Sequence, residues 1–327
     1  MASEAAVRRR GLPGEGKVAF LFLLPWLIGL VVFLALPLGW AIWISTTDEQ
    51  IVRPGSFVGA ANYESILTDD PLFLQALGVT FRWILLTTPL FMGAGLLLAV
   101  LLNQRLPGMF VFRTILFVPA VLSGVAVAIL WFVLLNGELG AVNQLLRAIG
   151  IEDPPNWFRD PDWALPAVAV MGLWGVGGSA IIWLAGLQNI PPHLYEAAAI
   201  DGAGDAAKFR HITLPLLSGT IFFVLINLLV DSLLIFAPVF IASGGTQSGG
   251  PNNSLLFYMY YVYRKAFIEG ELGYGAALAW ILTVLGAILV WAAFRLEKRV
   301  YYHGCTTKRG PKDDQDRRSL DGRAASG

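Results

Sequence analysis

The sequence predicts an all-α integral membrane protein with six transmembrane helices and a cytoplasmic helix-turn-helix loop between the fourth and the fifth. Three observations carry that expectation. Of 327 residues, 56% are hydrophobic and only 14% charged, with a mean hydropathy of +0.64, whereas a soluble domain carries about a quarter charged residues. The apolar residues gather in uncharged runs, and a bilayer core of about 30 Å is crossed by roughly twenty helical residues. One long charged, amphipathic insert, residues 191–215, separates two of these runs.

In chain order, residues 1–17 form a polar cytoplasmic tail with Arg8, Arg9, Arg10 and Lys17. Residues 18–47 are uncharged and exceed the core of a signal peptide, about 7–15 residues, so they read as a retained first helix that Pro25 and Pro37 kink. A mixed loop with Glu64, Asp69 and Asp70 leads to a second helix at 83–102, and a short break with Arg105 and Arg113 to a third at 114–137. The polar stretch 138–162 holds Trp157 and Phe158 and is followed directly by Trp163, aromatics suited to an interface. A fourth span covers 165–187, and a fifth runs from after Pro215 to Ala242. A Gly-, Asn- and Ser-rich loop follows, then an interfacial helix over 255–265 with Tyr258, Tyr260, Tyr261 and Tyr263. The sixth span is 272–294. The domain boundaries are therefore a six-helix membrane region at 18–300 and a charged, disordered tail at 301–327.

Six spans put both termini on one side. Basic residues concentrate at the two ends, which makes that side cytoplasmic by the positive-inside rule, although the internal loops alone lean slightly the other way. Zero net charge leaves no basic footprint for nucleic acid. The single Cys305 permits no intrachain disulfide, and His193, His211 and His303 lack metal-ligand spacing. No phosphate-binding Gly-x-x-x-x-Gly-Lys-Ser/Thr loop occurs, and no paired-carboxylate or Ser-His constellation.

The insert reads PPHLYEAAAIDGAGDAAKFRHITLP. Two prolines suit the first turn of a helix, Gly202 and Gly204 end it, and Asp205 is placed to cap a second short helix over 206–212 that Leu214-Pro215 closes. Alanines at 197, 198 and 199 leave a face that another protein can approach closely; they also fit a plain connecting loop, since Ala is the best helix former. The spacing of Glu196-Ala197-Ala198, Gly202, Ile212 and Leu214-Pro215 resembles the EAA loop of permease subunits of binding-protein-dependent ABC importers. One departure is Ser218-Gly219, where that family often has a proline. LLPWLIGLVVFLALPLGWAIWIS, FVGAANYESIL, Gly249-Gly250-Pro251 and Gly273-Tyr274-Gly275-Ala276-Ala277 resemble the carbohydrate branch, typified by the maltose and glycerol-phosphate permeases, so the likeness extends from about residue 18 to about residue 300. The loop is lengthened here by Thr246-Gln247-Ser248.

The resemblance implies a transport subunit and not an enzyme. It implies that Leu194, Tyr195, Glu196, Ala197, Ala198, Asp201, Gly202 and Phe209 dock on an ATPase, as a coupling loop at 190–215. Implied partners are a second homologous permease, two ATPase subunits, an extracytoplasmic solute-binding protein and the bilayer of the inner membrane. No cofactor is expected on this chain, with ATP and Mg on the ATPase. Within the fifth span, Asp231 is costly in lipid, about 2.5–3.5 kcal/mol on insertion scales, and with Asn227 four residues earlier and Ser232 beside it forms a polar stripe. With Trp174 or Trp280 this stripe fits sugar recognition. Packing contacts to another helix or to a partner subunit and an ion relay are the other readings of the same residues. An ion-gradient-driven transporter, with Asp231 as its coupling residue, is the alternative to an ATP-driven one. An integral membrane enzyme is disfavoured.

Overall fold

The structure, a computed structural model, describes residues 15–104, 106–245 and 249–300, apart from the side chains of 15–19 and 296–300. Most of the expected N-terminal tail, all of the C-terminal tail, Arg105 and the Thr246-Gln247-Ser248 insert lie outside the described residues. The described residues are helical, with no strand among them beyond two isolated bridges, Thr47 to Phe57 and Gln50 to Arg53.

Four helices are long and apolar enough to cross a membrane: Phe20–Ser45, Pro71–Leu102, Ser218–Ala242 and Leu272–Arg295. Two further crossings are bent pairs, Met109–Val121 with Gly124–Leu134 at 98° and Pro161–Trp174 with Gly177–Gln188 at 52°. Counting each pair once gives six, the expected number. The expected third and fourth spans are nevertheless broken where single helices were anticipated. Pro119 removes a backbone donor near the end of its helix, and Leu122 is extended at φ −71°, ψ 148° before the chain restarts at Gly124. In the fourth, Gly175 follows Trp174 and the helix resumes at Gly177. The second span begins at Pro71, well before residue 83, because Asp70 caps it: one carboxylate oxygen accepts from Leu72 N–H at 2.9 Å and Phe73 N–H at 3.2 Å.

The chain divides into two compact units, one of residues up to Ala76 with Tyr258–Val284, the other of Leu77–Phe257 with residues from Leu285 onward. In the first, the helix expected at an interface is buried instead. Tyr258, Tyr260 and Tyr261 are each 0% exposed on the short Tyr258–Tyr263 helix, which a wider π-turn, Arg264–Ile268, extends. Burial is tolerated because the hydroxyls are used: Tyr258 donates to the Leu278 carbonyl at 3.0 Å, and Tyr261 and Tyr274 donate to the second Asp70 oxygen at 2.5 and 2.7 Å. Burial, then the hydrogen bond to Asp70, pushes the Tyr261 phenol well above its usual range, so it remains a donor. Gly273 is required for contact, since a Cβ there would stand 2.0 Å from the Thr47 carbonyl oxygen. A polar cavity of about 440 Å³ in this unit is lined by Asn62, Asp69, Asp70, Lys265, Glu271 and Tyr274 among others. The Phe20–Ser45 helix leaves its apolar window entirely unburied, with Phe22 80% and Phe33 81% exposed, a surface that only an apolar surrounding suits.

In the second unit, the stretch 138–162 is organised by an amide. Asn143, 0% exposed, donates to the carbonyls of Gly137 at 2.9 Å and Pro155 at 3.1 Å and accepts from Trp157 Nε1 at 2.7 Å. Trp157 in turn meets Trp163 edge-on at 5.3 Å. The core lies deeper, around Ala99, Trp183, Leu184, Leu187, Leu217 and Val224. There Gly186 lets the Gly177–Gln188 helix approach the next span, since a Cβ would stand 2.5 Å from Thr220 Oγ1.

Replacing Asp70 by Ala removes a helix cap and strands a buried tyrosine hydroxyl. We expect a loss of about 2 kcal/mol or more, read as a lowered midpoint of thermal unfolding in detergent.

Candidate functional site

Three interruptions of membrane helices converge on one cavity of about 320 Å³ in the second unit. Pro119, Leu122 and Gly124 come from the first bent pair, Gly172 and Gly175 from the second, and Ile235 and Pro238 from the gap between Ser218–Leu233 and Ala237–Ala242. Each interruption has a local cause. Pro119 and Pro238 cannot donate a backbone hydrogen bond, Gly175 costs helix stability, and Phe236 at φ −135°, ψ −61° has left the helix altogether. Non-helical backbone at membrane depth persists only where protein or a cavity surrounds it.

The cavity walls are largely apolar. Trp83 and Phe91 of the Pro71–Leu102 helix contribute rings that meet edge-on, 6.2 Å between centroids. Gly172 makes room for Phe91, as a Cβ there would stand 2.7 Å from the ring. The polar lining side chains are Asp231 and the buried Ser232. Asp231 has no hydrogen bond or ion pair to any of the described residues.

The cavity-facing positions of this helix and its end are Leu228, Asp231, Ser232 and Ile235, a stripe with helical spacing. Asn227 lies one residue off that stripe, about 100° around the helix from Leu228. It is exposed, and its amide donates back to the Phe223 carbonyl at 2.7 Å. Of the expected polar stripe, Asp231 and Ser232 line the cavity and Asn227 does not, although Asn227 stands only about 40° around the helix from Asp231 and both are exposed. Trp174 packs edge-on against Trp131 at 6.0 Å and does not line the cavity. Trp280 belongs to the first unit, where it is half-buried. Trp83 and Phe91 were missed because they lie in a uniformly apolar run, where nothing in the sequence separates a cavity wall from core.

The insert folds as a helix, Pro192–Ile200, a turn at Gly202 with φ +77°, and a second helical run from Asp205 to Leu216 whose middle is a π-turn, Phe209–Thr213. Gly204, and not Asp205, occupies the N-cap, and Asp205 is the first helical residue with no capping bond from its side chain. The run also continues through Pro215 instead of stopping at Ile212. A π-turn ahead of a proline absorbs the hydrogen bond that the proline cannot make.

Leu194, Tyr195 and Ile212 are half-buried against the core around Trp183 and Leu217. The Tyr195 hydroxyl lies 2.9 Å from Thr213 Oγ1, joining the two arms of the insert. Glu196, Ala197, Asp201, Gly202 and Phe209 are exposed, Ala198 is half-buried, and Ile200, 87% exposed, adds a large apolar side chain to the open face. No group of three or more His, Cys, Asp or Glu side chains among the described residues is arranged to hold a metal.

The family model described as "Binding-protein-dependent transport system inner membrane component" matches residues 73–302. The chain is 33% identical over 294 residues to a probable ABC transporter permease protein, YesP, of Bacillus subtilis (strain 168), covering 90% of this chain and 94% of the other. It is 33% identical over 274 residues to the trehalose/maltose transport system permease protein MalF of Thermococcus litoralis, covering 83% and 90%. It is 33% identical over 286 residues to the sn-glycerol-3-phosphate transport system permease protein UgpA of Agrobacterium fabrum, covering 86% and 96%. A crystal structure of a bacterial ABC transporter that imports the acidic polysaccharide alginate contains a chain similar in fold, with TM-score 0.73 and 23% identity over 88% of this chain and 96% of that one. The same transporter, in complex with an alginate-bound periplasmic protein, gives TM-score 0.75.

Tyr195→Phe removes one partner of a half-buried hydroxyl pair and should cost about 1 kcal/mol. Hydrogen exchange should then accelerate in the amides of 192–200, and Thr213→Val should do the same without adding to it.

Proposed function

The chain belongs to the family of binding-protein-dependent transport system inner membrane components, and from that premise we propose that it moves a sugar or sugar-like solute through the cavity at Asp231. It is a membrane-spanning permease subunit of a binding-protein-dependent ABC importer. The convergence of three helix breaks on one cavity carries the proposed path. Broken helices at membrane depth free backbone groups for a solute and provide joints about which half-helices tilt. Relatives named for trehalose/maltose and sn-glycerol-3-phosphate support a carbohydrate-like cargo. Asp231 and Ser232 would bond a pair of hydroxyls, and Trp83 or Phe91 would pack on the apolar face of the ring.

In this proposal ATP and its Mg are held by separate ATPase subunits, on which the open face of the insert docks through Glu196, Ala197, Ala198, Asp201, Gly202 and Phe209. Leu194 and Tyr195 act behind that face and seat it on the core. A second permease of the same family completes the path, and an extracytoplasmic binding protein delivers the solute. The protein sits in the inner (cytoplasmic) membrane with both termini and residues 190–215 in the cytoplasm. The segment 18–300 is the permease domain, flanked by tails at 1–17 and 301–327.

Two substitutions test the docking face in the complete importer. Glu196→Lys introduces the wrong charge, and Gly202→Asp places a side chain where φ is +77°. Each should leave the protein in the membrane while solute uptake falls at least about tenfold, the effect of roughly 1.4 kcal/mol of lost coupling. Unchanged uptake in both variants would count against the docking. Uptake that persists in the presence of a protonophore, with ATP maintained, separates this reading from transport on an ion gradient.

A further inference from the structure

We propose that Asp231 makes the cavity a charge filter, so that the solute carried is an uncharged sugar and acidic or phosphorylated sugars are excluded. The inference rests on the reading of the cavity as the solute path. Relatives named for trehalose/maltose and for sn-glycerol-3-phosphate are equally similar to this chain, at 33% identity, so likeness does not choose between a neutral and an anionic cargo. The lining of the cavity does.

Among the described residues that line it, Asp231 is the one ionisable side chain, and no Lys, Arg or His stands with it. Asp231 is itself exposed and the surrounding walls, including Trp83, Leu122, Val168 and Met171, are apolar, so the field of this unpaired carboxylate reaches a solute in the cavity with no opposing charge beside it. Backbone dipoles do not offset it. A helix N-terminus carries about half a positive charge and a C-terminus about half a negative one, but each break supplies one of each. Met109–Val121 ends where Gly124–Leu134 begins, Pro161–Trp174 where Gly177–Gln188 begins, and Ser218–Leu233 where Ala237–Ala242 begins. The paired ends largely cancel, and the carboxylate is left as the net charge that this chain contributes to the cavity. A uronate or phosphate entering the cavity would meet that charge with no cation from this chain to neutralise it, while a neutral sugar can donate two hydroxyls to it.

The filter can be measured without knowing the sugar. In full-length protein in lipid nanodiscs, with Cys305→Ala, a single thiol is placed on the cavity wall by Leu122→Cys, a position 46% exposed. Its modification rates by a cationic trimethylammonium methanethiosulfonate and an anionic sulfonate methanethiosulfonate are each normalised to a small free thiol. The cationic reagent should be favoured about tenfold, the order expected of one carboxylate several ångströms away. Asp231→Asn should bring the ratio close to one, and Asp231→Glu should preserve it. Equal rates, a ratio that Asp231→Asn leaves unchanged, or no reaction with either reagent would overturn the filter. Uptake by the complete importer is a separate arm, using trehalose and sn-glycerol 3-phosphate as probes. Uptake of the phosphate would overturn the filter, whereas uptake of neither, with the thiol ratio intact, would overturn the sugar reading alone.

Discussion

A polypeptide inside a bilayer has no water with which to satisfy a broken helix, and that single constraint organises this protein. Each peptide group at a break must be satisfied by protein or a polar space, and short local bonds do much of this here: Leu122 N–H donates to the Pro119 carbonyl at 3.3 Å, Gly175 N–H to the Gly172 carbonyl at 3.0 Å, and the Phe236 carbonyl accepts from Phe240 N–H at 2.8 Å. Three such breaks scattered over separate helices would each carry a penalty of several kcal/mol in lipid. Gathered around one cavity of about 320 Å³, they share a single solution. The third, fourth and fifth crossings are thus discontinuous at the walls of one cavity, and the discontinuities give that cavity its shape.

The same helices connect the cavity to the insert. The Gly177–Gln188 helix and the Ser218–Leu233 helix leave the cavity region on either side of the insert, and the insert joins their far ends. Gly186 sets them close together, and Leu194, Tyr195 and Ile212 pack the two arms of the insert onto the core they share. The Tyr195 to Thr213 bond closes this arrangement. A push on the exposed face of Pro192–Ile200 is therefore not absorbed by a loose loop. It reaches two helices whose other ends line or adjoin the cavity.

How much of this was legible in the sequence depends on which kind of signal each residue carries. Hydropathy is a property of a window, and it located all six crossings, the insert and the helix-turn-helix within it. The breaks in the third and fourth crossings were not read, because Pro119 and Gly175 lie in apolar runs where such residues are common and often leave a helix intact. Asp231 stood out as a charge in lipid, but choosing its neighbour by an i, i+4 rule selected Asn227. The face that the fold uses is defined by Leu228, Ser232 and Ile235, and only packing decides between adjacent faces of a helix that is apolar all round. The tyrosines at 258, 260 and 261 were misplaced for a related reason. Tyrosine suits an interface when its hydroxyl needs water, and here Leu278 takes that role for Tyr258 and Asp70 for Tyr261, from distant parts of the sequence.

The rival explanation of Asp231, that it glues helices together, is answerable on the same physical ground. A carboxylate kept for packing within the chain must be matched by donors, as Asp70 is by two amides and two phenols. Asp231 has no such match among the described residues and opens on a cavity instead. An unmatched charge contributes nothing to helix association and costs free energy to hold in place. Its position is intelligible when the missing donors arrive from outside the protein. The two acids therefore differ in place: the satisfied one fixes a helix end, and the unsatisfied one opens on the cavity of the proposed path.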